Sequence, residues 1–304
     1  MNDTRWRDFW GSPAVWHLRH APGFLVALLT MSVLATCAGF AGTLAPHQPF
    51  DLATLDLLDA RLPPAWMNDG TTRYLLGTDG QGRDVLSSLM HGLRMSLLVG
   101  LLSTALSLGV GVTVGLVAGG IGGWIDAVLM RLCDVMLSFP PILVALMVDG
   151  VGRALLPHGQ DELALGVIVL AIAVTGWVPY ARTVRGAAMV EGRKDYVSAA
   201  RLIGASRSRI LFLHVLPNVM GPVLVLATLQ VGTAILIEST LSFLGVGAPA
   251  TSPSLGTLIR VGNELMLSGD WWIAVFPGAV LLLTTLSINW IGDALRDALN
   301  PRLR

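Results

Sequence analysis

Residues 95–125 read MSLLVGLLSTALSLGVGVTVGLVAGGIGGWI and lie between Arg94 and Asp126 with no charged side chain among them. A helix needs about 20 apolar residues to cross a bilayer core, so this interval exceeds one crossing. Gly119-Gly120-Ile121-Gly122-Gly123 is its natural turn, because clustered glycines reverse a chain cheaply. The stretch holds the end of one span and the start of the next. Composition agrees: 53% of the 304 residues are hydrophobic and 13% are charged, against roughly 25% charged in a soluble domain. Formal net charge is zero, so no basic surface points to nucleic acid.

Working outward, the sequence predicts six spans: Gly23–Leu44, Met95–Ala118, Trp124–Val148, Leu163–Ala181, Val219–Phe243 and Trp272–Ile291. Pro140-Pro141 should kink or break the third. The fold class is an all-α integral membrane protein. With residues 1–22 as an inner tail, fourteen of the 20 basic residues fall on the inner side. That bias fixes the orientation, and an even number of spans returns residues 296–304 to the same side. Residues 45–94 form an outer segment rich in Pro and Asp. The core at 95–295 contains a polar inner loop at 182–218. Leu34-Ala35-Thr36-Cys37 faintly resembles a lipoprotein cleavage box, but the apolar run continues past it, so Cys37 reads as the wall of a spanning helix. Cys37 and Cys133 have no metal spacing and form no disulfide framework.

The inner loop carries the chemistry. Tyr196, Ala199, Ala200 and Ile203 fall at helical spacing and make one small, mildly apolar face. Gly204 should end or bend that helix. A second amphipathic stretch follows, which Pro217 should stop. Alanines at the centre of a short helix let a partner approach closely.

This loop resembles the cytoplasmic coupling motif of ABC-importer permeases: Glu-Ala-Ala, three residues, Gly, nine residues, then hydrophobic-x-Leu-Pro. Ala199, Ala200, Gly204, Leu216 and Pro217 match at the required spacing, and Asp195 and Tyr196 just before the motif and Ala205 within it are grouped with them as coupling residues. Ser198 stands where the motif has Glu, and His214 where a hydrophobic residue is usual. Further stretches resemble one branch, the dipeptide/oligopeptide/nickel permease family, and within it the second, C-type subunit. They are Leu76–Ser87 (LGTDGQGRDVLS), Leu137–Pro140 (LSFP), Leu241–Gly245 (LSFLG) and Gly292–Arg302 (GDALRDALNPR). The resemblance runs from about residue 63 to the C-terminus. It implies a bacterial inner-membrane importer with a second, unlike permease, two ABC ATPases that bind the ATP and Mg²⁺, and a periplasmic substrate-binding protein. This chain would bind no cofactor or metal and catalyse nothing.

Each candidate site also has a plainer reading. Ala199, Ala200 and Gly204 belong either to a docking surface or to a helix hairpin tying spans four and five together. Gly77, Thr78, Asp79, Gly82, Arg83 and Asp84 form either a periplasmic gate or binding-protein contact, or a hydrogen-bonded turn in which Arg83 pairs with the two aspartates. Glu238, an acid within span five, is a pathway candidate, placed where an outer vestibule would wet it. Asp134 reads as the partner of Arg131 at i,i+3, and Trp271 and Trp272 as interfacial anchors.

Two other classes fare worse. A secondary transporter would need inner ionisable relays or a repeat, yet charges other than Glu238 cluster at span ends. A membrane enzyme would need a nucleophile or metal motif, and neither His-Glu-x-x-His nor Gly-x-Ser-x-Gly occurs. A Walker A loop is excluded, because the only lysine, Lys194, precedes Asp195. Relatives with these motifs carry dipeptides, longer peptides, glutathione, nickel or nickel chelates. With no His or Met cluster in this chain, peptides are the expected cargo.

Overall fold

The computed structural model describes residues 22–51, 55–155, 160–247 and 252–299. The tails 1–21 and 300–304 lie outside them, so the expectations placed there are not addressed. Every regular element among the described residues is helical apart from one isolated β-bridge.

The helices are α1 (Pro22–Gly39), α2 (Ala41–Leu44), α3 (Val85–Ile121), α4 (Gly123–Leu137), α5 (Pro141–Leu155), α6 (Gln160–Glu191), α7 (Asp195–Leu202), α8 (Arg207–Arg209), α9 (Leu216–Phe243), α10 (Leu255–Met266) and α11 (Trp272–Leu299). A π-helical stretch, Ile210–Val215, joins α8 to α9. Five helical runs are long and apolar enough to cross a membrane: α1, α3, most of α6, Arg207–Phe243 and most of α11. The α4–α5 pair makes a sixth if it counts as one span, and it bends by 92° at Ser138–Pro140. The break expected at Pro140-Pro141 is there, because Pro lacks the N–H that would continue α4.

Helix limits differ from the expected spans. α3 begins at Val85, ten residues before the expected start, so residues 85–94 leave the outer segment and join a 37-residue helix. At 1.5 Å per residue that helix is about 55 Å long, well beyond a ~30 Å hydrocarbon core. Hydropathy marks where a helix meets lipid and says nothing of how far it continues into water. α1 breaks at Phe40, dividing the first expected span into α1 and α2.

α3 and α6 pack along their length. Gly111, Gly115 and Gly119 recur every four residues on α3. A Cβ there would strike the carbonyls of Trp177, Ala181 and Arg185 on α6. Small residues at this spacing let helix backbones meet where lipid gives no hydrophobic drive. α9 closes the other side of α3 and α6, and α11 packs on α9 and α1. α10 was not foreseen. Ser254 caps it, and its apolar side packs on α3, α9 and α11.

Candidate coupling site and outer motif

α6 ends at Glu191, and a tight turn through Gly192 and Arg193 leads into α7. Val197 and Ala200 are buried against Leu116, Val184, Ala188, Ile210 and Val215. Burying Val197 contributes about 1.5–3 kcal/mol. The helix ends as the sequence predicts. Gly204 has φ +83°, its N–H donates to the Arg201 carbonyl at 3.0 Å, and the Ala205 N–H donates to the Ala200 carbonyl at 3.0 Å. That bond pair is a Schellman stop, with Gly supplying the left-handed residue.

The expected face of α7 splits. Ala200 is turned inward and only 6% exposed, and it braces the loop against the protein's own helices. Ala199 and Ser198 face solvent. Leu202 and Ile203, 89% and 86% exposed, are the most exposed of the large apolar side chains the loop presents, ahead of Val190, Leu213 and Phe212. A motif reading centred on the alanines passed over Leu202. The clue was present, since Val197 and Ala200 are themselves at i,i+3.

A polar knot holds α7 in place. Glu191 takes Lys194 Nζ at 2.8 Å and the Tyr196 hydroxyl at 2.7 Å. Asn218 Nδ2 donates to the Tyr196 oxygen at 3.2 Å and to the His214 carbonyl at 2.7 Å. Burial, reinforced by the neighbouring Glu191 carboxylate, pushes the Tyr196 hydroxyl above its usual pKa. One side chain thus ties the end of α6 to α7, the π stretch and the first turn of α9.

Pro217 does not stop the second stretch. The chain runs through it into α9 as one helix, Arg207–Phe243. A proline in an α-helix clashes with the carbonyl four residues back. Here the π turn just upstream, with the Leu216 N–H bonded to the Leu211 carbonyl, takes up the extra residue and lets the helix continue.

The outer motif is a folded knot at the start of α3. Asp84 caps α3, accepting from the N–H groups of Leu86 (3.3 Å) and Ser87 (3.1 Å), and His47 Nδ1 lies 3.3 Å from it. Asp79 Oδ1 accepts from the N–H groups of Gln81 (2.8 Å) and Arg83 (2.9 Å). Burial pushes the Asp79 carboxyl above its usual range, against the pull of those hydrogen bonds. Thr78 is fully buried; its hydroxyl donates to the Asp59 carbonyl at 2.6 Å and accepts from the Leu62 N–H at 2.8 Å. Nearby, burial and the Asp59 carboxylate push the Tyr74 hydroxyl up to about 12. Gly77 and Gly82 have positive φ, and a Cβ on either would press into backbone at Leu62 or Asp56.

The expected ion network of Arg83 with the two aspartates is not formed. Arg83 pairs with neither aspartate through its side chain; its guanidinium lies over the Phe50 ring, 5.5 Å from the centroid. Gly77, Thr78, Asp79, Gly82 and Asp84 are buried in the chain's own fold, and Gly80 and Gln81 are what the motif exposes. Trp272 is also no interfacial anchor. It is 4% exposed and its indole N–H donates to the Thr78 carbonyl at 3.1 Å, so it pins the motif to α11.

Glu238 is fully buried rather than wetted. It accepts from the hydroxyls of Ser96 (2.9 Å), Ser242 (2.7 Å) and Ser239 (3.3 Å), and Ser96 also accepts from the Leu255 N–H at 3.2 Å. The carboxylate joins α3, α9 and the start of α10. Asp134 lies 2.5 Å from Arg182 of α6 and 4.0 Å from Arg131, so its main partner is on another helix. Asp126 and Arg185 form a second, bidentate pair between α4 and α6.

The chain is thus a set of apolar helices long enough to cross a membrane, with an ordered loop that displays Leu202 and Ile203. It belongs to the family of binding-protein-dependent transport system inner membrane components, whose model matches residues 111–304. Among its relatives is the di/tripeptide transport system permease protein DppC of Pseudomonas aeruginosa (strain UCBPP-PA14). It is 41% identical, with 98% of this chain and 92% of that protein covered. The dipeptide transport system permease protein DppC of Escherichia coli (strain K12) is 42% identical over 95% of this chain and 92% of its own length. That of Bacillus subtilis (strain 168) is 38% identical over 92% and 81%. A solved structure, the inward-facing MetNI methionine ABC transporter, shares the fold with a TM-score of 0.57 at 18% identity. It covers 70% of this chain and 96% of that one. The chain is a multi-pass membrane protein of the permease class.

Proposed function

We propose that this chain forms half of the transmembrane pathway of an ATP-driven importer of short peptides. A second, unlike permease supplies the other half. Two ABC ATPases hold the ATP and Mg²⁺, and a periplasmic binding protein delivers the peptide. The chain spans the bacterial inner membrane six times with both ends in the cytoplasm, and α4 and α5 together make the third span. The high identity to proteins named as dipeptide and di/tripeptide permeases supports the cargo.

The observation that carries the mechanism is the display of Leu202 and Ile203 at the end of a helix braced from three directions. An exposed apolar pair on a rigid mount is a contact surface. When ATP closes the ATPases, α7 moves with them and carries α6 and α9. The pathway then opens to one side or the other.

The test is uptake of a labelled dipeptide by cells that depend on this system, with Leu202→Asp/Ile203→Asp as the variant. The variant should reach the membrane normally, fail to retain the ATPases on purification and lose uptake. Normal uptake with those two charges in place rejects α7 as the docking element. Competition by unlabelled dipeptide, but not by glutathione or nickel, is expected to identify the cargo.

A further inference from the structure

Beside α7 the structure has an open groove. Its floor is the last turn of α3 (Gly119, Gly120, Ile121) and the start of the 207–243 helix (Ile210, Leu211, Val215), and its rim carries Arg193, Arg201 and Arg207. Two adjoining hollows of about 350 and 240 Å³ share Gly120, Arg201, Ile210 and Leu211. No carboxylate lines either of them. On the neighbouring α6, Arg182 is neutralised by Asp134 and Arg185 by Asp126. Glu191 is taken by Lys194 and Tyr196, and Asp195, exposed at the start of α7, lines neither hollow and pairs with none of these arginines. Among the described residues, Arg193, Arg201 and Arg207 have no ion-pair partner.

The site therefore has positive charge without an internal counter-ion, over an apolar floor made of the ends of two membrane-crossing helices. Lys and Arg grouped beside a span attract anionic lipid. Guanidinium forks suit phosphate oxygens. The apolar floor suits the glycerol and first methylenes of a chain entering from the bilayer. We infer that this groove holds the headgroup of an anionic phospholipid, with the phosphate between Arg201 and Arg207. A lipid there touches α7 and α3 at once, so it bears on the element that receives the ATPase.

The experiment uses the whole transporter, purified with its partner permease and ATPases in phosphatidylcholine nanodiscs. Short-chain phosphatidylglycerol is titrated in and occupancy is read by native mass spectrometry. Saturable binding is expected. R201Q/R207Q should weaken it about 30-fold, on the footing of two charges near the surface. R201K/R207K should keep most of it, and R131Q on α4 should leave it unchanged. If the Gln pair does not assemble, R193Q alone should still weaken binding measurably. Equal binding by the Gln pair and wild type overturns the inference. So does equal uptake of short-chain phosphatidylcholine, or no saturable binding because the ATPase covers the groove. Displacement by millimolar inorganic phosphate as effective as by phosphatidylglycerol also overturns it, since the site would then be a free-phosphate site.

Discussion

Gly204 gives the sharpest test of how α7 is built. Its φ of +83° lies in the left-handed region. A Cβ added there would meet nothing within 4 Å. Any cost to this chain is therefore backbone cost, with no clash inside the subunit. For a residue with a Cβ that cost is about 1–2 kcal/mol, and it is higher for a β-branched side chain. It falls on the two bonds of the Schellman stop, from Gly204 N–H to Arg201 and from Ala205 N–H to Ala200. A penalty of about 1.4 kcal/mol moves the stop's equilibrium tenfold, so the last turn of α7 unwinds in a sizeable fraction of molecules. Leu202 and Ile203 lose their fixed position when it does. Asn tolerates this conformation and is as large as Val is wide. Uptake should therefore fall in the order Gly, Asn, Ala, Val, with membrane levels on immunoblots unchanged throughout. Substrate-stimulated ATP hydrolysis in proteoliposomes should follow the same order, and hydrolysis by the isolated ATPases should not change. Gly204→Asn as inactive as Gly204→Val would refute the backbone account and leave contact with the partner as the reason. Normal transport by Gly204→Val would remove the loop from the coupling path.

Three further outcomes are expected. With Cys37 and Cys133 replaced, a cysteine at Leu58, 90% exposed, should react with an impermeant thiol reagent in intact cells, and one at Ser208 should not; equal labelling rejects the topology. Asp79→Asn keeps the Oδ1 that accepts from Gln81 and Arg83 and should fold, whereas Asp79→Ala should lower thermal stability by about 1–3 kcal/mol for two orphaned N–H groups. Because the folded Asp79 pKa is raised, its contribution to stability is present at low pH and lost as pH rises through that pKa; a melting curve of Asp79→Asn should therefore show less decline with rising pH than wild type, and an unchanged slope rejects this. Glu238→Ala should reduce stability in detergent by about 3 kcal/mol or more, since three serine hydroxyls lose their acceptor deep in the fold, while Glu238→Gln should retain more of it; equal stability of the two would mean the carboxylate does not join α3, α9 and α10.

The fold was legible wherever one physical cause acted alone. Apolar runs gave the spans, glycines with a free φ gave the α3–α4 turn and the end of α7, and the Pro pair gave the break in α4–α5. What stayed hidden depends on two segments meeting. Gly111, Gly115 and Gly119 are individually ordinary in an apolar helix, and their meaning appears only when the carbonyls of α6 lie against them. Glu238 looked like a pathway acid because a lone charge in a span is costly; the serines that satisfy it come from α3 as well as α9. Trp272 looked like a membrane anchor because it begins a span, yet its indole is used by Thr78, 194 positions earlier. Pro217 misled for a local reason, since a π turn leaves no mark in hydropathy.

A docking helix transmits force only if it cannot yield at its own joints. α7 is fixed by Val197 and Ala200 in an apolar cluster shared with α3, α6 and α9, by a Schellman stop, and by the Glu191–Tyr196–Asn218 bonds. A displacement at Leu202 therefore moves the ends of α6 and α9 together. α6 in turn is locked to α3 by the glycine stripe and to α4 by Arg182 and Arg185. α3, α4, α6, α7 and α9 are thereby tied together. α1 lies outside this set, mostly exposed and packed on α11 and the outer end of α3. α5 leaves α4 at the 92° bend and packs on α6. α3, the second expected span, belongs to the same packed unit as α7. The Pro140-Pro141 break removes the hydrogen bonds that would make α4 and α5 one straight helix, and α5 is held on α6 instead, with Ala145 fully buried beside Ile168 and Ile172.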